Sequence, residues 1–173
     1  MRSLILGGAR SGKSALAERI ASQSGREVVY VATAQAGDGE MAARIAHHRE
    51  RRPPHWRCVE EPLALADALR RNAHPERCVL VDCLTLWLSN LLAASDEARF
   101  ARERDALVEL LHALPGEVVM VSNEVGLGIV PMGELTRRFV DEAGRLHQAL
   151  AQRCERVVFV AAGLPLILKG SLE

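Results

Sequence analysis

The stretch SLILGGARSGKS, residues 3–14, decides the fold because a short apolar run passes directly into a glycine-rich loop. Gly7, Gly12, Lys13 and Ser14 match the pattern G-x-x-x-x-G-K-[ST], whose glycines let backbone N–H groups surround a phosphate. The residues that follow, ALAERIASQSG, have the apolar spacing of a helix. The stretch therefore predicts a buried strand, a phosphate-binding loop, and a helix whose positive end points at the bound anion.

Lys13 is informative because the chain otherwise uses arginine for nearly all of its 22 basic residues. Only Lys169 is a second lysine, so the Asn-Lys-x-Asp motif of guanine-specific switch proteins is absent. We expect Lys13 to reach the β- and γ-phosphates of ATP or GTP, and Ser14 to bind Mg²⁺.

Composition narrows the class of protein. A net charge of zero and 3% aromatic residues argue against nucleic-acid binding. The four cysteines lack C-x-x-C spacing, which argues against a zinc site. No apolar run is long enough to span a membrane. These features favour a cytoplasmic protein whose residues 1–173 form one nucleotide-binding domain.

Strands and helices alternate along most of the chain. Apolar strands separated by helices predict an α/β fold of the P-loop NTPase type (RecA-like), with a mostly parallel sheet and helices on both faces. The last strand pair, RVVFVAAGLPLIL, turns near Gly163 and predicts an antiparallel edge strand at the C-terminus. The run RCVLVDCLT, residues 77–85, is expected to be one strand, with a helix starting at residue 86.

The acidic residue of that run, Asp82, is expected at the end of the strand. An acidic residue at the end of a strand next to the phosphate loop is the usual second Mg²⁺ ligand of such sites. The alternative is that Asp82 caps the helix that follows, a common position for aspartate.

A second unusual stretch is MAARIAHHRERRPPHW, residues 41–56. It predicts a helix that starts after Asp38 and ends at Pro53, and a projection at about 100° per residue places His48, but not His47, on the inward face. A neutral imidazole among arginines could attack a phosphate, and the arginines could stabilise the developing charge. The alternative is a structural histidine beside surface arginines.

Five segments together resemble one known family: GGARSGKS, YVATAQ, DGEMAARIAHHRERRPPHW, LVDCLTLWLSNLL and VSNEVGLGIVP. The chain is similar over residues 3 to about 168 to the CobU/CobP family of cobalamin biosynthesis. Members are bifunctional adenosylcobinamide kinases and adenosylcobinamide-phosphate guanylyltransferases.

The resemblance implies two reactions at one nucleotide site. A hydroxyl of adenosylcobinamide, a corrinoid, takes the γ-phosphoryl group of ATP or GTP. The family's histidine, here His48, then attacks the α-phosphate of GTP, releases pyrophosphate and passes GMP to adenosylcobinamide phosphate. The resemblance also implies a homo-oligomer, possibly a trimer. Its nucleotide contacts carry over to Gly7, Gly8, Ala9, Arg10, Ser11, Gly12, Lys13, Ser14, Ala32, Thr33, Ala34, Arg49, Glu50, Arg51, Arg52, Glu60 and Asp82.

Two questions stay open at the level of sequence. Asn123 and Glu124, in SNEVGLGIVP, could contact nucleotide or corrinoid or position water, or the glycines there could simply form a turn. Glu124 and Asp82 are both candidates for the base of the kinase step. A plain small-molecule kinase and a regulatory nucleotide-binding protein remain the rival functions.

Overall fold

The structure, a computed structural model, describes residues 1–34 and 53–172. The strands of this part are β1 (Arg2–Gly7), β2 (Glu27–Ala32), β3 (Arg57–Glu60), β4 (Arg77–Asp82), β5 (Glu117–Asn123), β6 (Arg156–Ala161) and β7 (Leu164–Lys169). The helices are α1 (Lys13–Gln23), α2 (Leu65–Asn72), α3 (Leu84–Ala93), α4 (Glu97–Leu110), which a short 3₁₀ turn extends, and α5 (Glu134–Arg153). The helix predicted after Asp38 lies outside the described residues.

All seven strands form one sheet in the order β3-β2-β4-β5-β1-β6-β7. Every neighbouring pair is parallel except β6 and β7, which are antiparallel. The predicted α/β class and the predicted antiparallel edge strand are therefore confirmed. The first six strands all point the same way, so their carboxyl ends share one edge of the sheet, where such folds bind ligands.

Helices cover both faces of the sheet because nearly every central strand residue is apolar. Helix α1 packs Leu16, Ala17 and Ala21 against one face. Helices α2 to α5 cover the other face, where Trp87 and Leu107 are fully buried. This two-sided burial fixes the strand ends that carry the predicted site. No helix in residues 1–34 or 53–172 has the length and hydropathy needed to cross a membrane.

Asp82 ends a strand as predicted, but the strand does not extend over the whole of residues 77–85. Strand β4 ends at Asp82, and α3 begins at Leu84, two residues earlier than expected. The cause is local: the Cys83 carbonyl oxygen accepts the N–H of Trp87 at 3.2 Å and so begins the helix. The cap position is Cys83, without a side-chain cap bond, so the alternative of Asp82 as the helix cap is wrong. Asp96 does cap α4, through the N–H of Arg99 at 2.9 Å.

Candidate functional site: a phosphate loop and the strand ends beside it

The phosphate loop joins β1 to α1 and is held by its own backbone. The N–H of Ser11 donates to the Gly8 carbonyl oxygen at 3.3 Å. Gly12 adopts a φ of 95°, a conformation that favours glycine, and directly precedes the helix. The turn between β6 and β7 supports the loop, because the N–H of Gly163 donates to the Ser11 carbonyl oxygen at 2.8 Å.

The two adjacent glycines of the loop have different roles. A Cβ atom on Gly7 would lie 2.5 Å from the carbonyl oxygen of Val160 and 2.6 Å from Ser11 Oγ, so only glycine fits there. A Cβ atom on Gly8 would contact nothing within 4 Å. Ala9 and Arg10 are exposed at the loop tip, and Arg10 has a φ of 55°. Gly7 therefore serves packing, whereas residues 8–10 face outward, where a phosphate would approach.

Lys13 lies inside the loop and is only 8% exposed. Its ammonium nitrogen donates to the Gly8 carbonyl oxygen at 2.9 Å. Burial lowers the pKa of Lys13, and attraction to the Asp82 carboxylate opposes that change. Cys83 is also close, but burial raises the pKa of its thiol, so Asp82 supplies the negative charge. The predicted acidic residue is thus close enough to the predicted lysine to attract its positive charge.

The sequence suggested that Asp82 would lie on the strand next to β1. In the structure β5 is inserted between β1 and β4, so Asp82 lies one strand further away. Asp82 and Ser14 are both half-buried and offer oxygen donors at the same edge of the sheet, which suits Mg²⁺. In residues 1–34 and 53–172, no three His, Cys, Asp or Glu residues group closely enough to bind a metal ion unaided. A bound Mg²⁺ would therefore depend on phosphate oxygens and water as further ligands.

Thr33 links the ends of β2 and β4. Its side chain is fully buried, and its hydroxyl donates to the Cys83 carbonyl oxygen at 2.7 Å. The hydroxyl oxygen of Thr33 in turn accepts the N–H of Cys83 at 2.9 Å. Asn90 of α3 donates to the carbonyl oxygens of Thr33 and Pro62 at 2.9 and 3.1 Å. The described contacts of Thr33 are thus internal and fix the backbone beside Asp82.

The other predicted nucleotide contacts are spread along the same edge. Ala32 pairs in register with both Asp82 and Glu60, and Ala34 is half-buried just beyond it. Glu60 ends β3, four strand spacings from β1, which is about 19 Å at roughly 4.8 Å per strand. Its predicted contact would therefore be far from the phosphate loop. His48, Arg49, Glu50, Arg51 and Arg52 lie outside the described residues, so their roles stay predictions.

The structure adds a buried cluster behind this edge that the sequence analysis missed. His147 of α5 is 6% exposed, and its Nε2 lies 2.8 Å from Ser122 Oγ. Its Nδ1 lies 3.6 Å from an oxygen of Glu124. Burial lowers the pKa of His147, and the Glu124 carboxylate opposes that change. The available signal was the position of His147 one residue after Leu146 on the apolar stripe of an amphipathic helix.

Two buried oxygen atoms at this edge have no hydrogen-bond partner among the described residues. They are Ser11 Oγ in the phosphate loop and Asn123 Oδ1 at the end of β5. Buried polar atoms are nearly always paired, so such orphans favour a bound polar ligand or water. Both lie where the parallel strands end, which supports a ligand site at this edge.

Comparison with known proteins gives one consistent result. The family model described as cobinamide kinase / cobinamide phosphate guanyltransferase matches residues 3–168. The chain is 68% identical over 170 residues to the bifunctional adenosylcobalamin biosynthesis protein CobP of Pseudomonas aeruginosa, covering 98% of each chain. It is 41% identical over 183 residues to the bifunctional adenosylcobalamin biosynthesis protein CobU of Escherichia coli, covering 98% of this chain and all of that one.

Solved structures support the fold alone. The RadB recombinase superposes with a TM-score of 0.50 at 18% identity, covering 91% of this chain and 73% of that one. A Pyrococcus horikoshii OT3 protein, titled as a study of PH0250, superposes with a TM-score of 0.54 at 11% identity, covering 98% and 86%.

Proposed function

Because the chain belongs to the cobinamide kinase / cobinamide phosphate guanyltransferase family, we propose that the phosphate loop and the strand ends beside it form one nucleotide site serving two reactions. The protein is a bifunctional enzyme of cobalamin biosynthesis, as its relatives are named. One observation carries the proposed site: buried Lys13 of the phosphate loop lies near enough to Asp82, at the edge where the parallel strands end, for the carboxylate to attract its charge.

The first reaction is phosphoryl transfer to adenosylcobinamide. Backbone N–H groups of the loop and the start of α1 bind the phosphates of ATP or GTP, and Lys13 neutralises charge on the transferred group. Mg²⁺, bound through Ser14 and Asp82, would screen the phosphate oxygens. The corrinoid hydroxyl then takes the γ-phosphoryl group, and a nucleoside diphosphate leaves.

The second reaction is guanylyl transfer through His48. Its imidazole attacks the α-phosphate of GTP, pyrophosphate leaves, and adenosylcobinamide phosphate takes the GMP from the histidine. Support comes from the sequence, in which His48 follows the family's R-I-x-x pattern and is flanked by arginines. A covalent intermediate divides one difficult displacement into two easier ones.

Isotopic labelling tests both reactions in one experiment. The protein is incubated with adenosylcobinamide and GTP labelled at either the γ- or the α-phosphate, and corrinoid products are separated by time. We expect γ label in the corrinoid first and α label later, and neither transfer at a measurable rate with Lys13→Ala. Turnover by Lys13→Ala equal to the wild type, or no labelled corrinoid with the wild type, would contradict the proposal.

The C-terminal edge supports the further proposal of a homo-oligomer. Strand β7 pairs with β6 alone within the described residues, and Leu164 and Leu166 are 72% and 60% exposed. Exposed apolar edge strands normally require a cover. Light scattering should show a multimer, and Leu166→Glu should dissociate it; a monomeric wild type would refute this.

We also propose a cytoplasmic location and one domain over residues 1–173.

A further inference from the structure

Glu124 directly follows β5, the strand between the phosphate-loop strand and the strand of Asp82. We propose that Glu124 accepts the hydroxyl proton of the corrinoid during phosphoryl transfer and that His147 is the residue that positions its carboxylate. This inference rests on the kinase activity proposed above and assigns the base that the sequence left open.

The backbone of Glu124 is fixed at the site. Its N–H donates to the carbonyl oxygen of Gly7, the first residue of the phosphate loop, at 3.0 Å. The preceding residue, Asn123, donates its N–H to the hydroxyl of Thr85 at 3.0 Å. Glu124 is thereby tied to β1 on one side and to the start of α3 on the other. These bonds fix the backbone from which the Glu124 side chain extends, next to the phosphate loop.

The carboxylate is held from two directions while it stays accessible. Oε1 accepts the N–H of Gly126 at 2.7 Å, and Oε2 lies 3.6 Å from Nδ1 of His147. The Glu124 side chain is 22% exposed, so a substrate can reach it. The 3.6 Å separation is beyond a direct hydrogen bond, and a shift of about 0.5 Å would form one.

His147 is suited to hold this carboxylate with Nδ1 because its Nε2 atom already has a hydrogen-bond partner. Nε2 lies 2.8 Å from Ser122 Oγ, and Nδ1 is buried without a hydrogen-bond partner among the described residues. If the proton were on Nε2, the lone pair of Nδ1 would face a carboxylate. The hydroxyl of Ser122 therefore donates to Nε2, and the Nδ1–H points at Glu124.

Burial keeps His147 neutral, since it lowers the pKa of the imidazole. A neutral N–H donor orients a carboxylate without cancelling its charge, whereas an imidazolium would make the carboxylate a weaker base. The Glu124 carboxylate is thus directed by an uncharged partner.

The two acidic residues at this edge have different roles. Asp82 lies near enough to Lys13 to attract its positive charge and is the proposed oxygen ligand of Mg²⁺, so its carboxylate would serve cations. Glu124 contacts a backbone N–H and a neutral histidine instead. Of the two carboxylates, Glu124 is the one free to take a proton.

The step balances without another reactant. The hydroxyl O–H bond breaks and its proton moves to a carboxylate oxygen of Glu124. The same hydroxyl oxygen forms a bond to the γ-phosphorus, and the bond from that phosphorus to the β–γ bridging oxygen breaks. The nucleoside diphosphate leaves with that electron pair, and the proton later returns to water. A carboxylate in this role is well precedented in phosphoryl transfer.

The guanylyl half of the cycle supplies an internal reference. Attack by a histidine on GTP involves no substrate hydroxyl, so loss of the base should leave it intact. We expect Glu124→Gln to lower kcat for corrinoid phosphorylation by about 10²–10⁴-fold, while labelling of the protein by α-labelled GTP stays near the wild-type rate. Glu134→Gln, which changes an exposed glutamate in the first turn of α5, is the matched control and should phosphorylate normally.

The positioning role of His147 is tested with two amides. Asparagine places its N–H₂ near the position of Nδ1 and can still face Glu124, whereas glutamine reaches the position of Nε2 and Ser122. We expect His147→Gln to lower kcat of the kinase step on the order of tenfold with KM for GTP unchanged, and His147→Asn to recover most of it. A purely structural histidine would make both variants lose stability and activity together.

The outcomes separate the inference from the proposed function. If the wild type phosphorylates no corrinoid, the proposed function fails. If it does, and Glu124→Gln keeps its kinase kcat within about threefold of the wild type, the assignment of Glu124 alone is overturned. Equal losses in His147→Asn and His147→Gln, tracking a shared fall in Tm, would overturn the positioning role.

Discussion

The bridge made by Thr33 between β2 and β4 gives the sharpest test of how the site is built. Replacing Thr33 by valine keeps the shape of the side chain and removes both hydrogen bonds to Cys83. The Cys83 carbonyl oxygen still accepts the N–H of Trp87 at 3.2 Å, so its loss is only the net value of one bond, about 0.5–1.5 kcal/mol. The buried Cys83 N–H loses the acceptor that Thr33 provides, which costs about 1–3 kcal/mol.

Together these terms predict that Thr33→Val lowers the free energy of unfolding by about 2–4 kcal/mol, or Tm by roughly 5–15 °C. Thr33→Ser keeps the hydroxyl and loses one buried methyl group, so it should cost only about 1 kcal/mol. Urea unfolding of the three proteins measures both values. Because Cys83 follows Asp82, the kinase rate should also fall further in the valine variant. A valine variant as stable as the serine variant would refute the bridge.

Two further predictions concern the phosphate loop and the buried histidine. Gly7→Ala should destabilise the fold strongly, because its Cβ would lie 2.5 Å from the Val160 carbonyl oxygen, while Gly8→Ala should keep a near wild-type Tm; equal Tm values would contradict this. Burial lowers the pKa of His147, so below about pH 6.5 the unfolded chain binds a proton that the folded chain does not. The free energy of unfolding should therefore decrease as the pH is lowered, by up to about 1.4 kcal/mol per pH unit, and it should decrease less in His147→Asn. Urea unfolding at pH 7.5 and 5.5 measures this decrease in both proteins. An equal decrease in the wild type and in His147→Asn would count against the prediction.

The phosphate loop and the sheet class were predictable because both are local patterns. Residues 7–14 carry their own motif, and apolar strands between helices favour a parallel sheet. The strand order was not predictable in the same way, because it depends on which crossovers pack. Asp82 was expected beside β1, yet β5 occupies that position. The bridge between Thr33 and Cys83 was also missed, since it joins residues 50 positions apart.

The buried cluster behind the site shows the same limit. His147 is separated from Ser122 by 25 positions, and nothing in the local pattern of α5 says which strand its imidazole will meet. The sequence showed Glu124 as one of two possible bases. Its distinction from Asp82 came only from the structure, in which Asp82 is near the positive charge of Lys13, whereas Glu124 contacts a backbone N–H and a buried histidine.

The proposed guanylyl transfer is tested most directly by the identity of the residue that carries GMP. The protein is incubated with α-labelled GTP and Mg²⁺, without corrinoid, and the label is located by peptide mapping in the wild type, His48→Ala and His47→Ala. We expect an acid-labile, base-stable label on His48 that is lost in His48→Ala and kept in His47→Ala. A label that persists in His48→Ala, or that disappears in His47→Ala instead, would contradict it.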